Sequence, residues 1–243
     1  MTARLGVVVF PGSNCEHDVV RALALTGAGP AGDGDGAGAG VTADLVWHGE
    51  RSLAGYDAVV LPGGFAHGDY LRPGAIARFS PVMAALAAFA ADGGPVVGIC
   101  NGFQVLTEAG LLPGALQKNR GLRFVCRTVA VTVATDRTVL TEGIAPGTTL
   151  ALPVNHFEGN FTCDAATLER LRAEDRVVLR YAEDVNGSVD AIAGVCNEAG
   201  NVVGLMPHPE RACDALTGAT DGAVLLGALV RAARRRAGVA QPA

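Results

Sequence analysis

Val96-Val97-Gly98-Ile99-Cys100-Asn101-Gly102-Phe103-Gln104 decides the fold. Residues 95–99 form a continuous apolar run, the pattern of a strand buried on both faces. The run ends on a cysteine with glycine two residues to either side, and a helical pattern over 102–112 begins at once. A strand turning sharply into a helix on a nucleophilic residue is a nucleophile elbow, here with Cys in place of Ser. Small residues at 98 and 102 let the chain turn without clash. The helix N-terminus brings partial positive charge and free N–H groups to the sulfur, which favours a thiolate. The Asn101 N–H is then placed to stabilise an oxyanion. A buried structural cysteine at a tight turn is the plain alternative.

Outward from the elbow, short β-branched runs alternate with Ala/Leu-rich amphipathic stretches. Strands are predicted at 5–10, 45–47 and 58–61, with helices from the Pro11-Gly12-Ser13-Asn14 turn to 27 and over 81–92. This alternation predicts a parallel sheet covered on both faces. The second half has longer, more alternating strands at 122–135, 149–154, 177–182, 189–196 and 202–206. The last two are separated by a hairpin-length turn, and a helix over 219–237 follows. The expectation is one α/β domain over 1–243: a mostly parallel central sheet with helices on both faces and antiparallel additions. Segment 28–40 is Gly/Ala-rich and reads as a flexible surface loop; no strand leads into its Gly-x-Gly steps, as a phosphate cradle requires.

Composition narrows the function classes. With 49% hydrophobic and 18% charged residues the chain has the make-up of a globular core, not of a disordered segment. A net charge of −5 gives no general reason to bind nucleic acid or an anionic membrane. Arg231, Arg234, Arg235 and Arg236 read as cations complementing the last turn of a helix. There is no long apolar span and no signal-peptide pattern, so a cytoplasmic protein is expected. The six cysteines are widely spaced, without a Cys-x-x-Cys pair, so neither a zinc site nor a disulfide framework is indicated. Most should be small buried hydrophobes.

A thiolate nucleophile needs a proton carrier, and the carrier needs an orienting group. Val202-Val203-Gly204-Leu205-Met206-Pro207-His208-Pro209-Glu210 offers both at the end of an apolar strand. Flanking prolines keep His208 out of ordinary helix, and Glu210 can hold one ring nitrogen. Leu61-Pro62-Gly63-Gly64-Phe65 ends the strand expected beside 95–99. Its Gly-Gly backbone can approach a substrate closely and supply the second oxyanion donor. The three segments belong together because ligands of open α/β sheets bind beyond the carboxyl ends of strands.

Gly98-Ile99-Cys100-Asn101-Gly102-Phe103-Gln104 with His208-Pro209-Glu210 resembles the class I (triad) glutamine amidotransferases, a flavodoxin-like fold. Phe10-Pro11-Gly12-Ser13-Asn14-Cys15, the stretch from Pro62 through Gly68-Asp69-Tyr70-Leu71-Arg72, and Asn186-Gly187-Ser188 narrow it. They resemble the branch of glutaminase subunits of phosphoribosylformylglycinamidine synthase. The resemblance spans nearly the whole chain; the insertion near 28–40 departs from it but avoids every motif. It implies a Cys100–His208–Glu210 triad, an oxyanion hole at Gly64 and Asn101, and substrate contacts at Gly63, Phe65, Gln104 and His156, with no metal. It implies glutamine as substrate and ammonia passed to a large synthase subunit, with a small bridging subunit. ATP and Mg²⁺ chemistry falls to that partner, since this chain has no Walker motif and needs no cofactor. Tyr70 and Arg72 are placed near the partner interface.

Other readings are an amidotransferase subunit of another pathway, a PfpI-like cysteine hydrolase, and a silent module. PfpI-like proteins carry His directly after the nucleophile, where this chain has Asn101. A silent module would lack the Cys or the His.

Overall fold

The computed structural model describes residues 2–27 and 40–238; the loop read at 28–40 lies, but for Gly40, outside them. The first half alternates as expected: β1 (Ala3–Val9), α1 (Glu16–Gly27), β2 (Val41–Trp47), β3 (Ala58–Leu61), α2 (Pro81–Ala91), β4 (Val96–Ile99) and α3 (Asn101–Glu108). The second half adds β5 (Ala115–Lys118), β6 (Val125–Val133), β7 (Thr149–His156), β8 (Glu158–Thr162), α4 (Ala165–Ala173), β9 (Val177–Tyr181), β10 (Ile192–Cys196), β11 (Val202–Leu205) and α5 (Asp221–Arg236).

Nine strands form one mixed sheet in the order β2-β1-β3-β4-β11-β10-β9-β6-β7. From β2 to β11 neighbours are parallel; from β11 to β7 they are antiparallel. Every residue of β3, β4 and β11 is buried, so both faces of the sheet centre are covered, as continuous apolar runs require. Helices α1 and α5 pack on one another and on the sheet, and α3 packs on β3, β4 and β11. The sheet's central register sets the site. Leu61 stands opposite Gly98, and Leu205 opposite Ile99, so three parallel strands end side by side.

Several expectations need correction. The strand read at 189–196 is two pieces: a 3₁₀ turn over Val189–Ala191, with Asp190 left-handed at φ 55°, and then β10. The elbow helix stops at Glu108 rather than 112, because the Leu111 N–H folds back on the Leu106 carbonyl at 3.0 Å. The sequence reading missed α4, which Asp164 caps by accepting from the Thr167 N–H, and the two-stranded β5–β8 sheet. Cys15, Cys100 and Cys196 are buried, but Cys126 is exposed and Cys163 and Cys213 lie between, so burial of most cysteines does not hold. The C-terminal arginines also do more than complement α5. Arg236 pairs with Asp92 at 2.6 Å, Arg235 pairs with Glu142, and Arg231 donates to the Glu142 carbonyl. Among the described residues no helix is long and apolar enough to cross a membrane.

Candidate active site

Cys100 stands between β4 and α3 with φ 49° and ψ −103°, outside the regions open to an L-residue without strain. Its N–H donates to the Leu205 carbonyl (2.8 Å) and its carbonyl accepts from the Gln104 N–H (3.2 Å), so both neighbouring elements hold it there. Such a residue stores about 1–3 kcal/mol and persists only where its surroundings enforce it. The turn needs Gly102, since a Cβ there would stand 2.1 Å from the Leu61 carbonyl oxygen. The Cys100 side chain is almost closed off from solvent; among the described residues its sulfur makes a long contact to the Asn155 carbonyl at 3.8 Å, and it also acts on His208.

His208 follows β11, and its N–H is tied to the Pro153 carbonyl of β7 at 2.8 Å. Its Nδ1 meets Glu210 Oε1 at 2.6 Å, and both side chains are buried. With Glu210 ionised, Nδ1 carries a proton and donates it. Nε2 is buried without a hydrogen bond of ordinary geometry among the described residues, although the Cys100 and Cys15 sulfurs both act on the ring. Burial works against a charged ring here, but the Glu210 carboxylate and the Cys100 sulfur outweigh it. They hold His208 well above the usual imidazole range. A histidine so placed can keep a proton until a leaving group takes it.

The Gly63-Gly64 turn at the end of β3 lies against the same ring. A Cβ on Gly63 would sit 2.7 Å from His208 Cε1 and 3.1 Å from Cys15 Sγ. Phe65 donates its N–H to the Gly12 carbonyl at 2.9 Å, so its amide is already engaged. Among the described residues the Gly64 and Asn101 N–H groups show no backbone acceptor outside regular elements, which suits the oxyanion role read for them. Gln104 lies within α3. Its Oε1 accepts from Asn101 Nδ2 at 2.9 Å, and its Nε2 donates to the Glu158 carbonyl.

His156, at the end of β7, has Nδ1 at 3.1 Å from Asn119 Oδ1. Asn119 Nδ2 is spent on the His156 and Arg123 carbonyls, so its oxygen faces the ring and His156 carries its proton on Nδ1. Nε2 is left as a buried acceptor with no partner among the described residues. Burial and then the His208 charge press His156 down to about 4, so the ring is neutral at neutral pH.

Three participants escaped the sequence reading. Asn119 fixes the His156 tautomer. Tyr181 buries its hydroxyl; burial and then the Cys100 sulfur push its pKa upward, against an opposing interaction with Asn186. Cys15 lies against the triad: its sulfur, a His208 nitrogen and a Glu210 oxygen all fall within 4.8 Å of one another. By distance alone that trio could hold a cation. Arg211 Nη2, however, donates to the same sulfur at 3.2 Å and puts a positive charge there already. The signal for Cys15 was available, since it caps α1 as Cys100 caps α3; nothing in the sequence placed it beside His208.

Strained elbow, oriented histidine and Gly-Gly turn stand together at adjoining strand ends. Residues 2–221 match the family model described as CobB/CobQ-like glutamine amidotransferase domain. The chain belongs to the glutamine amidotransferase family. A relative from Rubrobacter xylanophilus named phosphoribosylformylglycinamidine synthase subunit PurQ is 57% identical, covering 95% of this chain and 99% of that one. The relative of the same name from Koribacter versatilis is 47% identical, covering 96% and 100%. A solved structure described as PurLQS from Thermotoga maritima superposes with a TM-score of 0.83 at 40% identity, covering 95% of this chain and 99% of its counterpart. Within the amidotransferases, then, this chain is of the PurQ type.

Proposed function

We propose that the chain hydrolyses glutamine to glutamate and ammonia through Cys100, His208 and Glu210, and passes the ammonia to an ATP-using synthase partner. That partner, with a small bridging subunit, converts formylglycinamide ribonucleotide to its amidine in purine synthesis. The names of the relatives and the PurLQS likeness support the assignment. ATP and Mg²⁺ belong to the partner, and the compartment is the cytoplasm.

One observation carries the chemistry: Glu210 holds His208 Nδ1 at 2.6 Å and leaves the rest of the ring to the sulfur of the strained Cys100, which acts on it. The sulfur adds to the side-chain carbonyl carbon of glutamine, and the new oxyanion is met by the Gly64 and Asn101 N–H groups. His208 delivers its proton to the nitrogen, the C–N bond breaks and ammonia leaves. The ring, now neutral, takes a proton from water as the hydroxide attacks the thioester carbon. Glutamate departs, and the proton stays shared between His208 and Cys100. Glu210 orients the ring throughout and stabilises its charge.

A nearly closed thiol suits a glutaminase that works slowly alone and faster when docked. Tyr70 and Leu71 are well exposed on the loop after the oxyanion turn, while Arg72 forks onto Glu108 at 2.5 and 2.7 Å. The test is reconstitution with the synthase, comparing glutamine with free ammonia as nitrogen donor. Cys100→Ala should abolish glutamine-dependent amidine formation and spare the ammonia-dependent reaction. Arg72→Ala should weaken partner activation more than the basal rate. Glutamine-dependent synthesis by Cys100→Ala would overturn the function.

A further inference from the structure

We infer that Asp69 is a positioning residue for the glutaminase reaction, acting through the side chain of Asn101 on the two oxyanion donors. The inference rests on the proposed Cys100 chemistry and extends it to the loop after β3.

Asn101 is the hub. Its Oδ1 accepts from the Ala66 N–H at 3.0 Å, while its Nδ2 donates to Asp69 Oδ1 at 3.0 Å and to Gln104 Oε1 at 2.9 Å. The Asn101 backbone begins α3 directly after the nucleophile, and Ala66 is two residues beyond Gly64. One side-chain amide therefore fixes the spacing between the two N–H groups that would hold the oxyanion. It can do so in one orientation only. If the amide were flipped, its NH₂ would face the Ala66 N–H, donor against donor, and its oxygen would face acceptors.

Two acceptors enforce the orientation. Gln104 presents its oxygen because its own NH₂ is committed to the Glu158 carbonyl. Asp69, as a carboxylate, can only accept. The loop shows a conformation that local preference does not explain: His67, Asp69 and Leu71 all have positive φ, at 55°, 51° and 72°. Asp69 is thus brought onto Asn101 by an uncommon backbone, and it is kept ionisable in a half-buried place. Burial raises its pKa to about 6; the Asn101 hydrogen bond opposes this and the Glu158 charge adds to it. Asn101 and Glu158 are the partners that act on it, from α3 and β8. Once protonated, Asp69 could donate an O–H, and the constraint on Asn101 would relax.

A carboxyl whose folded pKa lies above its unfolded value favours the fold at low pH, and that contribution is lost as pH rises through about 6. At neutral pH the ionised Asp69 is therefore a burden on the fold, a pattern expected of a group kept for function rather than stability.

The experiment measures kcat and KM for glutamine between pH 5 and 9 in the reconstituted complex, with thermal melting at pH 4 and pH 8. Wild type should lose kcat below about pH 6. Asp69→Ala should lower kcat roughly tenfold, more than it moves KM, and remove that acid limb. Asp69→Asn should remove the limb with a smaller loss, and should melt higher than wild type at pH 8 but not at pH 4. If Asp69→Ala does not fold, Asp69→Asn alone decides. Wild-type kcat with the acid limb intact in either folded variant overturns the inference. An active Cys100→Ala would instead sink the reaction scheme itself, so the two failures are distinguishable.

Discussion

Cys15 and Cys100 are close counterparts in local structure. Each follows a strand of the parallel half and caps a helix, its carbonyl accepting the first helical N–H, Val19 at 3.0 Å and Gln104 at 3.2 Å. Each is buried, and each sulfur acts on His208. They differ in backbone and in what occupies the sulfur. Cys100 is forced to φ 49° with a long sulfur contact to the Asn155 carbonyl at 3.8 Å, whereas Cys15 does not have a positive φ. The Cys15 sulfur donates to Asn14 Oδ1 at 3.2 Å and accepts from Arg211 at 3.2 Å. Under the proposed mechanism, proximity to the histidine alone does not make a nucleophile. The proposed one is the sulfur held by strain beside unspent N–H groups, and the sulfur partnered by Asn14 and Arg211 reads as support for the Gly63 turn.

The largest expected effect separates the two. Cys100→Ala should cost several powers of ten in glutamine hydrolysis, on the scale of removing a triad nucleophile, about 10⁶ in the best-studied hydrolase. Cys15→Ala should keep most of the rate, measured as glutamate released by the purified chain with its partner. The reverse order would exchange the roles of the two cysteines. Next, His208→Ala should approach the loss of Cys100, and Glu210→Gln should lose less, because orientation is one part of what the histidine does. If Glu210→Gln equals His208→Ala, the 2.6 Å contact is the essential one and the ring's position alone is worth little. A smaller effect should come from the turn between the cysteines. Gly63→Ala would drive its Cβ to 2.7 Å from His208 Cε1 and displace the Gly64 donor. Loss of one oxyanion donor costs about 10²–10³ in kcat. Unchanged kcat there would remove Gly64 from the oxyanion hole.

The parallel half was legible because its chemistry lies at the ends of buried strands. Runs such as 58–61 and 96–99 must pack on both faces, and once they are adjacent the elbow, the Gly-Gly turn and His208 converge without further information. What was not legible depends on contacts that no local pattern encodes. The β5 strand is mostly exposed and lacks an apolar rhythm, so its pairing with β8 left no trace. The Glu158 carbonyl reaches Gln104 only because that strand pair, distant in sequence, packs beside α3. Left-handed His67 and Asp69 are chosen by tertiary contacts against local preference, so the Asn101 hub was invisible although Asn101 itself was read correctly as part of the elbow. The miss of α4 is different in kind. Its Asp164 cap and its spacing of Leu168 and Leu171 are ordinary helix signals that were present to be read.

The most direct test of which sulfur reacts is covalent. A glutamine-like electrophile such as diazo-oxo-norleucine, allowed to react to one equivalent and followed by peptide mapping, should mark Cys100 alone, with glutamine protecting it. Label on Cys15, or spread evenly over the six cysteines, would contradict the account.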